Sequence, residues 1–360
     1  MLNIFIKLLL ILFLKVPEVN RMFADYTTLF FSIFLFCFFL IHILLYIYEK
    51  KNKKNDIVTT LAGPCIFISF IIFSFFNINS IFLVFNNIYE LITFYMSIFF
   101  IVVMGIIDDF VKVNTFKKII IQILIIILSI YGLGLDKVVI FPFIHNFFIN
   151  YIFLVIFILG IMNSINLIDG IDNIAALISI VVSVFFIILS GIIGFNEIDI
   201  FFYMIIGCLL SYLLYSNFFN RVFIGDAGSL FIGWLFSIAS ILFINFSNKV
   251  IIDFPFIFLS IPAFDVIYVM IYRFFNLNNK LLLDRFKNIF IPDKMHIHHS
   301  LSRIGMNNFI ICFVLCLILF LVSLLYVKYI FYFNIMYKFI FINVIFVIYI
   351  FSRMKIDKLI

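Results

Sequence analysis

The chain has 360 residues, of which 66% are hydrophobic and 12% charged, with a formal net charge of +6. A soluble domain carries about 25% charged and about 45–50% apolar residues, so this composition excludes an ordinary soluble enzyme. Runs such as Thr27 to Tyr48 and Ile174 to Phe195 contain no Asp, Glu, Lys or Arg, and each exceeds the ~20 apolar residues needed to cross ~30 Å of hydrocarbon.

In chain order, Leu2 to Leu14 is apolar but short and flanked by Lys7 and Lys15. It reads as an interfacial stub, a short extra span or a mis-assigned start, and no small-residue cleavage site marks a signal peptide. Spans follow near 27–48, 60–77, 88–107, 119–135, 150–165, 174–195, 200–216, 230–248, 252–272, 308–327 and 329–351. The expected fold is therefore an all-α membrane protein, a polytopic bundle of about 10–11 transmembrane helices. No internal repeat or separate soluble domain is visible, and residues 1–360 read as one integral membrane domain. The five cysteines lie inside apolar runs without C-x-x-C pairing, which points to packing rather than metal binding.

Orientation follows from the basic residues. Seventeen of the 24 Lys and Arg residues fall in 49–59, 108–118, 166–173, 217–229, 273–307 and the C-terminal tail. Basic residues mark cytoplasmic loops, so these segments are expected together on the cytoplasmic side. The polar constellations fall in the same segments, which suits a soluble donor meeting a lipid-borne acceptor.

The first constellation is Asp108-Asp109, followed by Lys112, Lys117, Lys118 and Gln122. Two adjacent carboxylates at the mouth of a span are costly unless a proton or a cation relieves them. A solvated helix end explains them as well as a phosphate-bridging magnesium ion does. The second runs Asn163-x-x-Asn166-x-x-Asp169-Gly170-x-Asp172. On an unbroken helix Asn163 and Asp172 face opposite ways, so a break at Gly170 would gather them better. A helix cap accounts for one such residue, but not four.

The third is Arg221-Val-Phe223-Ile-Gly225-Asp226-Ala-Gly228-Ser229, running into the next span. Its glycines allow close backbone approach, and the following helix N-terminus offers amide groups to phosphate. Asp226 is a candidate metal ligand there and Phe223 a candidate stacking partner for a base, against the reading of an ordinary capped loop. The fourth is His296-x-His298-His299 with Arg303. It lacks a structural zinc pattern, and histidines beside an arginine suit charge-assisted hydrogen bonds to phosphate. Asp265 lies inside a span, with Arg273 or the bundle interior as its expected partner.

In this order and spacing, the four constellations resemble the polyprenyl-phosphate N-acetylhexosamine-1-phosphate transferase superfamily over roughly residues 60–306. The family contains the phospho-MurNAc-pentapeptide translocases and the GlcNAc-1-phosphate transferases that initiate cell-surface polysaccharides such as O-antigen and teichoic acid. The resemblance implies a cytoplasmic-face catalytic cleft in the inner membrane, a UDP-sugar donor, a polyprenyl (undecaprenyl) phosphate acceptor and release of UMP. It also implies Mg²⁺, with Mn²⁺ as substitute, held by Asp226 with Asn166. Asp108 and Asp109 take the catalytic acid positions. Thr60, Lys118, Gln122, Asn163, Asp169, Asp172, Arg221, Phe223, Asp265, His296, His298, His299 and Arg303 take substrate-binding ones. Nothing points to nucleic acid, and a homodimer stays open.

Asn173 stands where the family usually has Gly, Ala62 replaces the first Gly of the early loop, and Lys112 stands where many GlcNAc-type members carry Asp. The His-x-His-His form followed by Arg303 is similar to the GlcNAc branch more than to the pentapeptide translocases, which are the nearer rival. A transporter or an inactive scaffold is the rival of another class. Transporters place ionisable groups near the midplane, often in inverted repeats, whereas these acids cluster at one face.

Overall fold

Apolar runs of this length have one stable form in hydrocarbon, the α-helix, because only it satisfies every backbone amide within the segment. The computed structural model describes residues 17–52, 59–140, 146–171, 173–219, 222–247, 254–275, 295–329 and 335–358. Long helices run over Pro17–Asn52 (α1), Ala62–Phe76 (α2), then after the short Ile78–Phe82 (α3), over Ile88–Val111 (α4), Thr115–Gly132 (α5) and Phe147–Ile168 (α6). They continue with Ile174–Ile193 (α7), Asp199–Phe219 (α8) and Gly225–Ser247 (α9). Phe254–Phe258 (α10), Ser260–Phe275 (α11), Ile297–Arg303 (α12), Asn308–Tyr329 (α13) and Ile335–Lys358 (α14) complete the order. Among the described residues, eight helices are long and apolar enough to cross a membrane, and strand pairing is confined to one bridge between Thr59 and Val222. The chain is a polytopic, all-α membrane protein.

Asparagine caps start several of these helices. Asn87, Asn114 and Asn146 each accept a backbone amide in the first turn of α4, α5 and α6, at 3.0, 2.9 and 3.1 Å. Such caps satisfy donors that a helix cannot satisfy itself. The centre of the bundle is α9, buried at every residue from Ala227 to Ile244 and packed against α2, α4 and α6. The outer faces of α1 and α13 instead expose Phe31, Phe39, Phe313 and Leu321, as a lipid-facing surface requires.

Three expected boundaries change. The span read as 252–272 is two helices broken at Leu259. Pro262 has no N–H for the Phe258 carbonyl, so the hydrogen-bond ladder lapses there. The span read as 230–248 begins at Gly225, which brings Asp226 into the first helical turn. The last span is not 329–351 followed by a tail, since α14 stays helical to Lys358. The stub from Leu2 to Leu14 lies outside the described residues.

Candidate active site

At one end of the bundle α4 stops where Lys112 takes a left-handed conformation, φ 51°. That turn leaves Asp108 and Asp109 in the last helical turn, facing the start of α9. Asp109 Oδ1 accepts from the Asp226 amide at 3.0 Å and Oδ2 from the Ala227 amide at 3.3 Å. Asp109 therefore caps α9 from another helix. The amides expected to be open to phosphate are occupied by this carboxylate instead.

Asp108 turns the other way. Its Oδ1 accepts from the Val113 amide at 2.7 Å and its Oδ2 lies 2.7 Å from Lys118 Nζ. Lys118 also donates to Asp226 Oδ2. The lysine side chain is 11% exposed and that of Asp226 30%, so Asp226 is the side of the pair open to a ligand. Gln122, one turn along α5 from Lys118, exchanges amide hydrogen bonds with Asn163 at 2.9 and 3.3 Å.

Asn166 joins the same cluster. Ser229 Oγ donates to the Gly225 carbonyl at 2.8 Å and lies 2.6 Å from the Asn166 amide. With the hydroxyl proton committed to Gly225, the Asn166 NH₂ must face Ser229. The amide oxygen then accepts from Lys118 Nζ at 3.2 Å, while the NH₂ lies 3.3 Å from Asp226 Oδ1. α6 carries both asparagines and ends at Ile168, and the chain turns at Asp169 and Gly170, where the break was expected.

The loop before α9 is stapled to the early loop at Thr59 to Ala62. Phe223 N donates to the Thr59 carbonyl at 2.8 Å and Ala62 N to the Phe223 carbonyl at 3.2 Å. Gly225 has φ +67°, and a Cβ there would lie 2.7 Å from both Thr60 Cβ and Asp109 Oδ2. Thr60 and Phe223 are half-buried at this junction. A seam of glycines allows the approach. A Cβ on Gly63 would meet the Ile224 carbonyl oxygen at 2.4 Å, and one on Gly105 would meet Ala227 Cα at 2.5 Å.

The histidine segment forms a second assembly. Asp265, buried on α11, holds His296 Nδ1 at 2.7 Å and accepts from the Ile297 amide at 3.0 Å, starting α12. Tyr349 OH donates to the same carboxylate at 2.8 Å, and Arg353 lies 3.9 Å from it. Of the two expectations, Arg273 or the bundle interior, these contacts belong to the interior. His298 is buried, with its ring lying over Gly170, where a Cβ would come 2.2 Å from Nε2. Burial, with His299 beside it, holds the His298 imidazole down at about 3. Among the described residues neither of its ring nitrogens has a hydrogen-bond partner. His299 is half-buried, its ring tilted against that of His298 with centroids 4.2 Å apart, while Arg303 is exposed in the last turn of α12. Asp169 is half-buried where α6 ends. Asp172 and Arg221 lie outside the described residues.

Residues 91–244, the stretch that carries the acid cluster, match the family described as Glycosyl transferase family 4. A relative from Bacillus subtilis (strain 168), a "Probable undecaprenyl-phosphate N-acetylglucosaminyl 1-phosphate transferase", is 33% identical over 234 residues, covering 63% of this chain and 62% of the relative. Residues 91–244 are thus similar to glycosyl transferase family 4. The alignment spans less than two thirds of that relative's length.

The donor set around Lys118 suits a hard divalent cation. Two carboxylates and a carboxamide oxygen converge on the single ammonium, and Mg²⁺ favours one or two carboxylates together with substrate oxygens and water. Among the described residues no three His, Cys, Asp or Glu side chains form a closed cage, so protein groups alone would leave most of the coordination to ligand oxygens. Site residues absent from the sequence reading are Tyr349, Arg353 and Asp357. Their i, i+4, i+8 spacing places them on one face of a helix, a signal concealed by treating 352–360 as a tail.

Proposed function

We propose that this chain acts as a family 4 transferase, moving an N-acetylhexosamine 1-phosphate from a UDP-sugar to polyprenyl phosphate on the cytoplasmic face of the inner membrane. It would thereby initiate a cell-surface polysaccharide. The observation that carries this reading is the juxtaposition of Asp108, Lys118, Asn166 and Asp226 at the ends of four apolar helices. Acids and a buried cation held there suit a diphosphate presented from the aqueous side to a phosphate anchored in lipid.

In the proposed reaction an oxygen of the polyprenyl phosphate attacks the donor's β-phosphorus. A new P–O bond forms, the bond to UMP breaks, and UMP leaves with the bridging oxygen. Asp108 positions or deprotonates the acceptor phosphate, and Asp109 fixes the backbone at Asp226. Lys118 neutralises the carboxylates and places a cation beside the phosphates they face. The buried, neutral His298 offers one ring donor to a phosphate or sugar oxygen in a water-poor setting, where such a bond is strongest. Asp226 and Asn166 would hold Mg²⁺, which supplies charge neutralisation to the diphosphate.

The test is UMP release by purified protein given undecaprenyl phosphate and a panel of UDP-sugars, with and without chelator. UMP from UDP-N-acetylhexosamine but not from UDP-MurNAc-pentapeptide is expected, because a site lacking partners for peptide groups binds them poorly. UMP from the pentapeptide donor alone would reverse the branch and keep the reaction. Turnover undiminished in excess chelator would remove the metal from the scheme.

A further inference from the structure

Arg353 lies on α14, outside the stretch of the chain that carries the family motifs, and is entirely buried. A guanidinium in the interior of a membrane protein is costly unless every partner is in place. Its partners lead directly to the histidine segment. One terminal nitrogen donates to the Met295 carbonyl, the peptide unit just before His296. The other donates to Asp357 Oδ1 at 2.8 Å. Nε lies 3.9 Å from Asp265 Oδ1, an ion-pair distance beyond hydrogen-bond reach, and the guanidinium stands 5.4 Å from the centre of the Tyr268 ring. Tyr268 OH in turn donates to Asp357 Oδ2 at 2.8 Å, tying α11 to α14. One turn earlier, Tyr349 OH donates to Asp265 Oδ1 at 2.8 Å.

We propose that α14 is the positioning element of the site: Arg353 and Tyr349 clamp the Met295 carbonyl and Asp265, and through them set His296 and His298. Asp265 cannot do this alone. Its Oδ1 accepts from both Ile297 N and Tyr349 OH while Oδ2 holds His296, so the Tyr349 hydroxyl and the guanidinium determine where the carboxylate stands. His298 depends on that placement because it has no hydrogen bond of its own among the described residues. It rests over Gly170 only as α12 dictates. Arg353 and Tyr349 are therefore positioning residues rather than catalytic ones, and their role in turnover rests on the transferase reading above.

Full-length Arg353→Met, Arg353→Lys and Tyr349→Phe proteins test this with two readouts. The first is modification of His296, His298 and His299 by diethyl pyrocarbonate, mapped by mass spectrometry. The second is UMP release per folded molecule. In the wild type His296 and His298 resist the reagent. In Arg353→Met they should react about tenfold faster, with Arg353→Lys intermediate because it keeps a cation but loses the two-pronged geometry. Tyr349→Phe should lower kcat by about tenfold with little change in donor KM, as expected for a contact felt at the transition state. Unchanged labelling in Arg353→Met and Arg353→Lys, or wild-type turnover in Tyr349→Phe, overturns the proposal. If Arg353→Met fails to fold, the other two variants decide. Wild-type protein that releases no UMP from any donor would sink the transferase reading, while the labelling pattern would still decide the clamp.

Discussion

At Lys118 one ammonium separates two carboxylates that share a largely buried corner. Lys118→Met leaves Asp108 and Asp226 facing each other, which should cost about 3 kcal/mol and lower the denaturation midpoint in detergent. Asp226→Ala differs, because Lys118 keeps Asp108 and the Asn166 oxygen. That variant should purify as the wild type does and lose turnover by about a hundredfold or more; UMP release at a near-normal rate would remove Asp226 from the chemistry. His298 carries the pH dependence. Its pKa in the fold is about 3, below the ~6.5 of an unfolded chain. The unfolded state alone gains a proton as pH falls from ~6.5 toward 3, so His298 should make the protein progressively less stable across that window. In His298→Gln the fall should be shallower, as followed by melting temperature, and no limb of the activity profile between about pH 5 and 8 should belong to His298. The residue types of this site were legible because charge stands out in an apolar chain. Which of two adjacent acids meets the lysine was not, since neighbours on a helix diverge by about 100° and sequence does not specify helix rotation.

Helix ends and crossings carried more information than spans. The φ of 72° at Asn173 explains why a family glycine can be Asn here, because Asn is among the few residues that tolerate the left-handed region. The broken 252–272 span was legible in Pro262, whereas the helical end of α14 was concealed because charges near a terminus read as tail. The glycine seam between α2, α4 and α9 yields a sharper expectation. At Gly63 and Gly105 the atoms that a Cβ would strike are backbone and cannot swing aside. Gly105→Ala and Gly63→Ala should separate the helices, lowering both melting temperature and turnover. Gly160→Ala and Gly191→Ala, where a Cβ meets open space, should be neutral or up to about 1 kcal/mol stabilising. Equal effects at both pairs in a thermal-shift assay would disprove the seam's role.

Across the whole molecule, the ends of α4 and α6 and the starts of α2, α5, α9 and α12 meet at one end of the bundle. The bias of basic residues toward those segments supports the proposed cytoplasmic placement of that end. Single cysteines at Lys112 and Arg303, in a background freed of the five buried native thiols, should be labelled by a membrane-impermeant reagent from the cytoplasmic side only. Labelling of the two from opposite sides would dismantle the shared site. This convergence was legible in outline, since every constellation fell in loops of one parity. The distances were not, because they depend on how closely three helices can cross. That crossing also limits how the gene can drift. A glycine codon altered at either of its first two bases specifies a residue with a Cβ or a stop. The chain is rich in large apolar residues, with 56 phenylalanines among 360 positions. At 63, 105 and 228 any side chain would meet backbone on the far side, so geometry holds the smallest residue there whatever the surrounding composition.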